Sequence, residues 1–256
     1  MGMFDYKMAA MAVVAATGLV GGLLPVRLHR LTAGDRWLSW GNAFSGGVFL
    51  GAGLMHLLPD SRDTFRAAGI TDDFPLGFML AGVGFLGILI LEKVALKGRD
   101  LSTMDMHTQG SSWVLFLVLS IHSIIAGISL GLETGTIASL AILIAILAHK
   151  GFAAFALGSH MENNRIAHRR LLSTILIFSI MTPLGIVAGS LGRVFFEGNT
   201  ADIVEAAFDG LSAGTFLYIS TLEIFSETFS EYSEPRQKSI FAILGFAGMA
   251  VLAIFV

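Results

Sequence analysis

Apolar residues gather into eight long stretches, at roughly 8–26, 40–58, 75–94, 113–131, 136–160, 172–191, 207–226 and 239–256, with polar connections between them. A helix that crosses a bilayer needs about 20 mostly apolar residues, and each stretch matches that length. The connections read as turns and solvated loops, for example "RLHRLTAGDR", "PDSRDTFRAAGITDDFP", "LETG" and "ETFSEYSEPRQK". Lipid offers backbone N–H and C=O groups no partner, so each span has to be a helix that satisfies its own backbone. The pattern predicts an all-α, polytopic membrane protein of eight transmembrane helices. It forms a single transmembrane domain over 1–256, with a short cytoplasmic loop at 95–112.

Composition agrees. Hydrophobic residues make up 54% of the chain and charged ones only 14%, with a mean hydropathy of +0.76. Soluble domains carry roughly a quarter charged residues, so the lipid bilayer is the expected surroundings. The net charge of −3 gives no reason to expect a nucleic-acid partner, and without cysteine there is neither a disulfide nor a thiolate metal site. The start, "MGMFDYKMAAMAVV", has no small-x-small cleavage site after its apolar run and reads as an uncleaved first span. Glycines in "GLVGGLL" and "AGVGFLG" suit close helix packing.

Lys and Arg favour cytoplasmic connections. Eleven occupy alternate connections: Arg27, Arg30, Arg36, Lys93, Lys97, Arg99, Arg165, Arg169, Arg170, Arg236 and Lys238. Four lie on the other side, Lys7, Arg62, Arg66 and Arg193, and Lys150 falls within a span. Both termini are therefore expected on the extracytoplasmic side, in a plasma or bacterial inner membrane. The outer connections carry Asp60, Asp63, Asp72, Asp73, Glu197, Asp202 and Glu205. Such acids suit a cation-gathering mouth and equally suit ordinary solvated loops.

Ionisable groups at membrane depth are costly and mark polar pathways. His122 lies in "LSIHSIIAGISLGLE" and His149 in "AHKGFAAFALGSHM", on spans joined by a short turn centred near 135.5. Each histidine is 13.5 positions from that centre, so both should sit about 20 Å below the turn, level with each other. Neutral imidazoles on adjacent helices are the beginning of a site for Zn²⁺, Fe²⁺ or similar ions. Buried histidines bonded to serine or backbone would fit the spacing too. His56 and Asp60 in "HLLPD" share a helix face at the outer end of span two, and Glu223 and Glu227 do so at the inner end of span seven. His160 follows His149 by eleven residues, about 16 Å further inward. The series suits conduction through weak sites, because an ion must leave as well as enter. Pro183 in "MTPLGIVAG" is expected to break or kink span six.

"HSIIAGISLG", "HKGFAAFALG", "GTFLYISTLEI" and "HLLPD" together resemble the ZIP (Zrt-, Irt-like) family of divalent metal-ion transporters. The resemblance covers most of the chain. It implies uptake of Zn²⁺, or of Fe²⁺, Mn²⁺ or Cd²⁺, into the cytosol as substrate rather than cofactor. It implies a transport site at His122 and His149, with Ser123 a weaker ligand where other members have Asn, and Glu223 and Glu227 near the inner exit. It also implies alternating access by an elevator movement, often in a homodimer. The chain departs from the family at Ala126 and Ala153, where many members carry carboxylates. Lys150 stands where binuclear members are acidic, either replacing a second metal or paired to an acid or carbonyl. "STMDMHTQG" offers only His107 where the family's inner loop is often histidine-rich.

Two other classes remain open at this point, an intramembrane metal-dependent hydrolase and a structural or receptor-like membrane protein. Against the hydrolase, no H-E-x-x-H pair is present, and Glu133 is eleven residues from His122. No P-loop is present either, which leaves no direct ATP drive within the chain.

Overall fold

The computed structural model describes residues 3–29, 34–70, 73–95, 104–192, 199–230 and 234–254. Arg30, Asp72, Lys97, Arg99, Arg193 and Glu197 lie outside the described residues, as do the side chains of Asp105 and His107. Eight helical rods and no strand are found among the described residues. They are α1 (Met3–Leu28), α2 (Gly34–Ala52, continuing through Gly53–Leu57 and Leu58–Ala67), α3 (Leu76–Ile90, continuing through Leu91–Ala95) and α4 (Met104–Leu132). Next come α5 (Thr136–Asn163), α6 (His168–Gly192), α7 (Asn199–Tyr218, continuing through Ile219–Phe225 and Ser226–Ser230) and α8 (Pro235–Leu252). Five of them are long and apolar enough to cross a membrane: α1, α3 with its continuation, α4, α5 and α6.

Several helices run further than the apolar stretches do. The rod of α4 begins at Met104, within the 95–112 connection, and α7 begins at Asn199, which puts Asp202 and Glu205 on a helix. Pro183 does not break α6, which is continuous from His168 to Gly192. The wide π-type turns fall elsewhere, at Gly53–Leu57, Leu91–Ala95 and Ile219–Phe225, and each carries an ionisable residue: His56, Glu92 and Glu223. In the first, the Leu58 N–H donates to the Gly53 carbonyl five residues back, and Pro59, which has no N–H, comes immediately after.

The burial pattern is that of a protein in lipid. Along α6, Leu172, Leu176, Ile180, Leu184 and Leu191 face outward, whereas Thr174, Ser179, Thr182, Gly185 and Gly189 are buried. Lipid is as apolar as leucine, so helices associate through close packing and polar contacts rather than hydrophobic burial. Glycine supplies the closeness. Gly127 and Gly131 of α4 face Gly185 and Gly189 of α6, and a Cβ at Gly185 would lie 2.2 Å from the Ile124 carbonyl oxygen. Gly21, Gly22 and Gly84, from the two glycine-rich runs, sit at such contacts in the α1–α5, α1–α6 and α3–α7 pairs.

These pairings sort the rods into two groups. The first contains α1, α4, α5 and α6, through the α4–α6, α1–α5, α1–α6 and α4–α5 contacts. The second contains α2, α3, α7 and α8, through α2–α8, α3–α7 and α2–α7. Between the groups α2 lies against α5, with smaller contacts of α1 on α2 and α4 on α7. Two lysines assigned to connections are buried in helices instead. Lys7 of α1 donates to the Gly131 carbonyl and to Ser190 Oγ, and Lys238 of α8 donates to the Thr228 carbonyl.

Candidate metal centre

Helices α4 and α5 form a regular antiparallel hairpin, and its symmetry brings His122 and His149 level. Their Nε2 atoms are 3.3 Å apart, and both rings are buried, with 6% and 5% of their surface exposed. A zinc ion with N ligands at about 2.0–2.1 Å and tetrahedral angles sets its nitrogens roughly 3.3–3.4 Å apart. The two ring nitrogens thus have the spacing that one dication requires. The Nδ1 of His122 has no hydrogen-bond partner among the described residues. Phe216 of α7 packs on the pair, its ring 4.5 Å from that of His122 and 6.2 Å from that of His149.

Lys150, one residue on, turns away into its own group of helices. Its Nζ donates to Ser123 Oγ (2.9 Å) and to the Phe178 carbonyl (3.0 Å) and lies 3.6 Å from the centre of the Phe178 ring. A carbonyl and a hydroxyl hold the ammonium, and the Ser123 oxygen is thereby engaged by Lys150. Ala126 and Ala153 leave no carboxylate one turn along either helix. Among the described residues, no three His, Asp or Glu side chains are grouped closely enough to hold one ion.

Two cavities lie at opposite ends of the bundle, and one of them reaches this centre. The first, about 360 Å³, opens at the end where α4 finishes and α5 begins, and is lined by His56, Asp60, Glu205 and Asp209 as well as the histidine pair. His56 Nδ1 and Asp60 Oδ2 are 2.8 Å apart, joining successive turns of α2. Ser129 of α4 donates to Glu205 of α7 across the boundary between the two groups. The second cavity, about 530 Å³, lies at the other end and reaches Asn163 and Glu227. Phe49, Leu119, Leu157, Phe216 and Ile219 belong to one buried apolar cluster.

The residues expected at the inner end separate into two sets. Glu227 accepts from Asn163 Nδ2 at 3.2 Å and lies 3.3 Å from His160 Nδ1. Glu223 lies beside Glu92 of α3, which accepts from the Tyr218 hydroxyl. Glu92, Asp209 and Phe216 were not singled out from the sequence. Asp209 was findable, since Asp202, Glu205 and Asp209 recur at i, i+3 and i+7 on one helix face. An isolated phenylalanine in an apolar span gives no comparable signal.

A polytopic helical bundle with paired midspan histidines, reached by an acid-lined cavity, belongs to the class of membrane metal transporters. Comparison with known proteins makes the assignment specific. The family model described as "ZIP Zinc transporter" matches residues 4–111 and 97–253. The zebrafish (Danio rerio) protein named Zinc transporter ZIP1 is 30% identical over 98% of both chains. Zinc transporter ZIP2 of Mus musculus is 27% identical over 86% of both. Protein zntD of Dictyostelium discoideum is 36% identical over a shorter stretch, 56% of this chain and 21% of its own. The chain belongs to the ZIP zinc transporter family, and is a membrane transporter rather than an enzyme.

Proposed function

We propose that the protein carries Zn²⁺ across the membrane into the cytosol, with His122 and His149 replacing part of the ion's water shell halfway. The observation that carries this reading is the 3.3 Å separation of two buried Nε2 atoms that face each other across the α4–α5 hairpin. Fe²⁺, Mn²⁺ and Cd²⁺ are alternative substrates, because imidazole accepts several of these ions and affinity alone does not fix the physiological one. The end bearing both termini is taken as extracytoplasmic. His56 and Asp60 then receive the ion, and His160, Glu223 and Glu227 receive it on the cytosolic side. On this reading the ion passes from the histidines to the inner end by a movement of the two groups of helices relative to each other. Alternating access of the α1–α4–α5–α6 group against the other group is such a movement, and a homodimer is compatible with it.

On this reading one metal occupies the centre at a time. Lys150, held by Ser123 and the Phe178 carbonyl on the residue next to His149, puts an ammonium where a second dication would need a carboxylate. Ser123, already bonded to Lys150, is at most a weak ligand.

The test is zinc flux into proteoliposomes that contain the purified full-length protein. Wild type should accumulate zinc down its gradient, and His122→Ala and His149→Ala should each reduce the rate at least about 100-fold, given that a chelating ligand has been lost. Variants that elute as wild type does in size exclusion yet transport at the wild-type rate would overturn the assignment.

A further inference from the structure

The cavity above the histidines holds an acid for which the Asp60-to-histidine route has no use. On α7, Asp209 lies one turn beyond Glu205, and both face the cavity together with His56 and Asp60. Along the same face of the helix, Phe216 comes seven residues after Asp209, two turns or about 10 Å, and Phe216 packs directly on His122. Asp209 therefore stands about two turns from the level of the histidine pair, deeper than Glu205.

Its neighbours make it unusual. The Glu205 carboxylate receives the Ser129 hydroxyl, and Asp60 is joined to His56. Asp209 is buried and has no hydrogen-bond or ion-pair partner among the described residues, while Glu205 and Asp60 act on it through space with charge of the same sign. A carboxyl group so placed keeps its proton unless a cation stands beside it, and a dication entering the cavity would take the proton's place. A second observation points the same way. The His122 ring, more than nine-tenths buried, lines this same cavity and leaves its Nδ1 without a partner among the described residues. The cavity thus combines an uncompensated carboxyl group with an imidazole nitrogen that lacks a partner.

We propose that Asp209 holds the incoming, still hydrated dication at a waiting site on α7, upstream of the histidine pair. It thereby supplies from the facing group of helices the carboxylate that α4 and α5 lack at Ala126 and Ala153. The inference rests on the proposed transport for its direction, and on the cavity alone for the existence of the site. No three acidic or imidazole side chains among the described residues close around one ion there, so the ion keeps water ligands and is held chiefly by charge. Weak holding of that kind raises the local ion concentration without trapping it.

Two measurements on the full-length protein test this. In equilibrium titration with Zn²⁺ in detergent, the His122→Ala/His149→Ala protein should retain one weak site. Adding Asp209→Asn should abolish that site, and Asp209→Glu should preserve it. In proteoliposomes, Asp209→Asn alone should raise the half-saturating zinc concentration at least about fivefold, with the maximal rate within about twofold of wild type. The proposal is overturned if the double and triple variants bind zinc alike. It is equally overturned if Asp209→Asn changes only the maximal rate, or neither parameter. Should wild type show no zinc flux while the Asp209-dependent binding persists, the transport reading fails and the waiting site stands.

Discussion

Adding one methyl group to α6, remote in sequence from either histidine, should disable the metal centre. In Gly185→Ala, the new Cβ would lie 2.2 Å from the Ile124 carbonyl oxygen and 2.9 Å from Gly127 Cα. An ordinary C···O contact is about 3.3 Å, so α4 and α6 must separate by about 1 Å. Ile124 is two residues from His122 on the same rigid helix, and the displacement passes to the imidazole undiminished. If half of it falls along the line between the Nε2 atoms, their 3.3 Å separation becomes about 3.8 Å or about 2.8 Å, according to its sense. With bonds of about 2.05 Å those chords correspond to N–metal–N angles of roughly 135° or 85° instead of a near-tetrahedral one. Displaced ligand support of this kind typically costs 10–100-fold in metal affinity. The overpacking itself costs about 1–3 kcal/mol of stability, so binding and flux are measured on the fraction that elutes as native in size exclusion. Gly82→Ala and Gly87→Ala, where nothing lies within 4 Å of the added carbon, serve as controls and should behave as wild type. If native-eluting Gly185→Ala protein binds zinc and transports it with wild-type parameters, the glycine contact does not set the histidine spacing and the argument fails.

The same geometry sets two other outcomes. Asp60→Ala should lower uptake at limiting zinc severalfold more than it lowers the maximal rate, and equal uptake at limiting zinc would dismiss Asp60 as a capture residue. Zinc bound at the centre of wild type should number one ion by anomalous scattering, and two ions beside Lys150 would refute the single-metal reading.

The sequence revealed the histidine pair because the hairpin that carries it is regular. Between Leu119 and His160 the two helices contain no wide turn or proline, so counting residues from the loop gives the depth directly. The same counting fails at the inner end of α7. Glu223 and Glu227 are four apart and read as one pair, yet Glu223 lies inside the Ile219–Phe225 turn, whose i→i+5 bonding takes in extra residues and rotates the rest of the rod. Glu223 consequently meets Glu92 of α3, and Glu227 meets His160 of α5. Glu92 escapes notice for a related reason: standing at the end of an apolar run, it reads as part of a solvated connection. Pro183, expected to break or kink span six, lies within α6 without ending it, whereas the wide turn on α2 lies just before Pro59. The grouping of helices is latent in the glycines, but which glycine faces which is fixed by tertiary contacts that no single run contains.

A centre made of two neutral imidazoles, with an ammonium on the adjoining residue and no carboxylate one turn along either of its helices, is poorly suited to tight binding. On the transport reading that weakness is functional. A dication at the histidines together with Lys150 places three positive charges in a buried region, and the compensating charge lies on other helices, at Asp60 on α2 and Asp209 on α7. A carboxylate about 10 Å from the ion, at an effective dielectric of about 20, contributes roughly 3 kcal/mol of attraction, and that attraction declines as the distance grows. Because α4 and α5 belong to one group of helices and α2 and α7 to the other, any movement that carries the histidines away from the acids weakens the hold on the ion. The attraction that draws zinc in is therefore reduced by the displacement that exposes it to the opposite side, and release needs no further protein group to displace it.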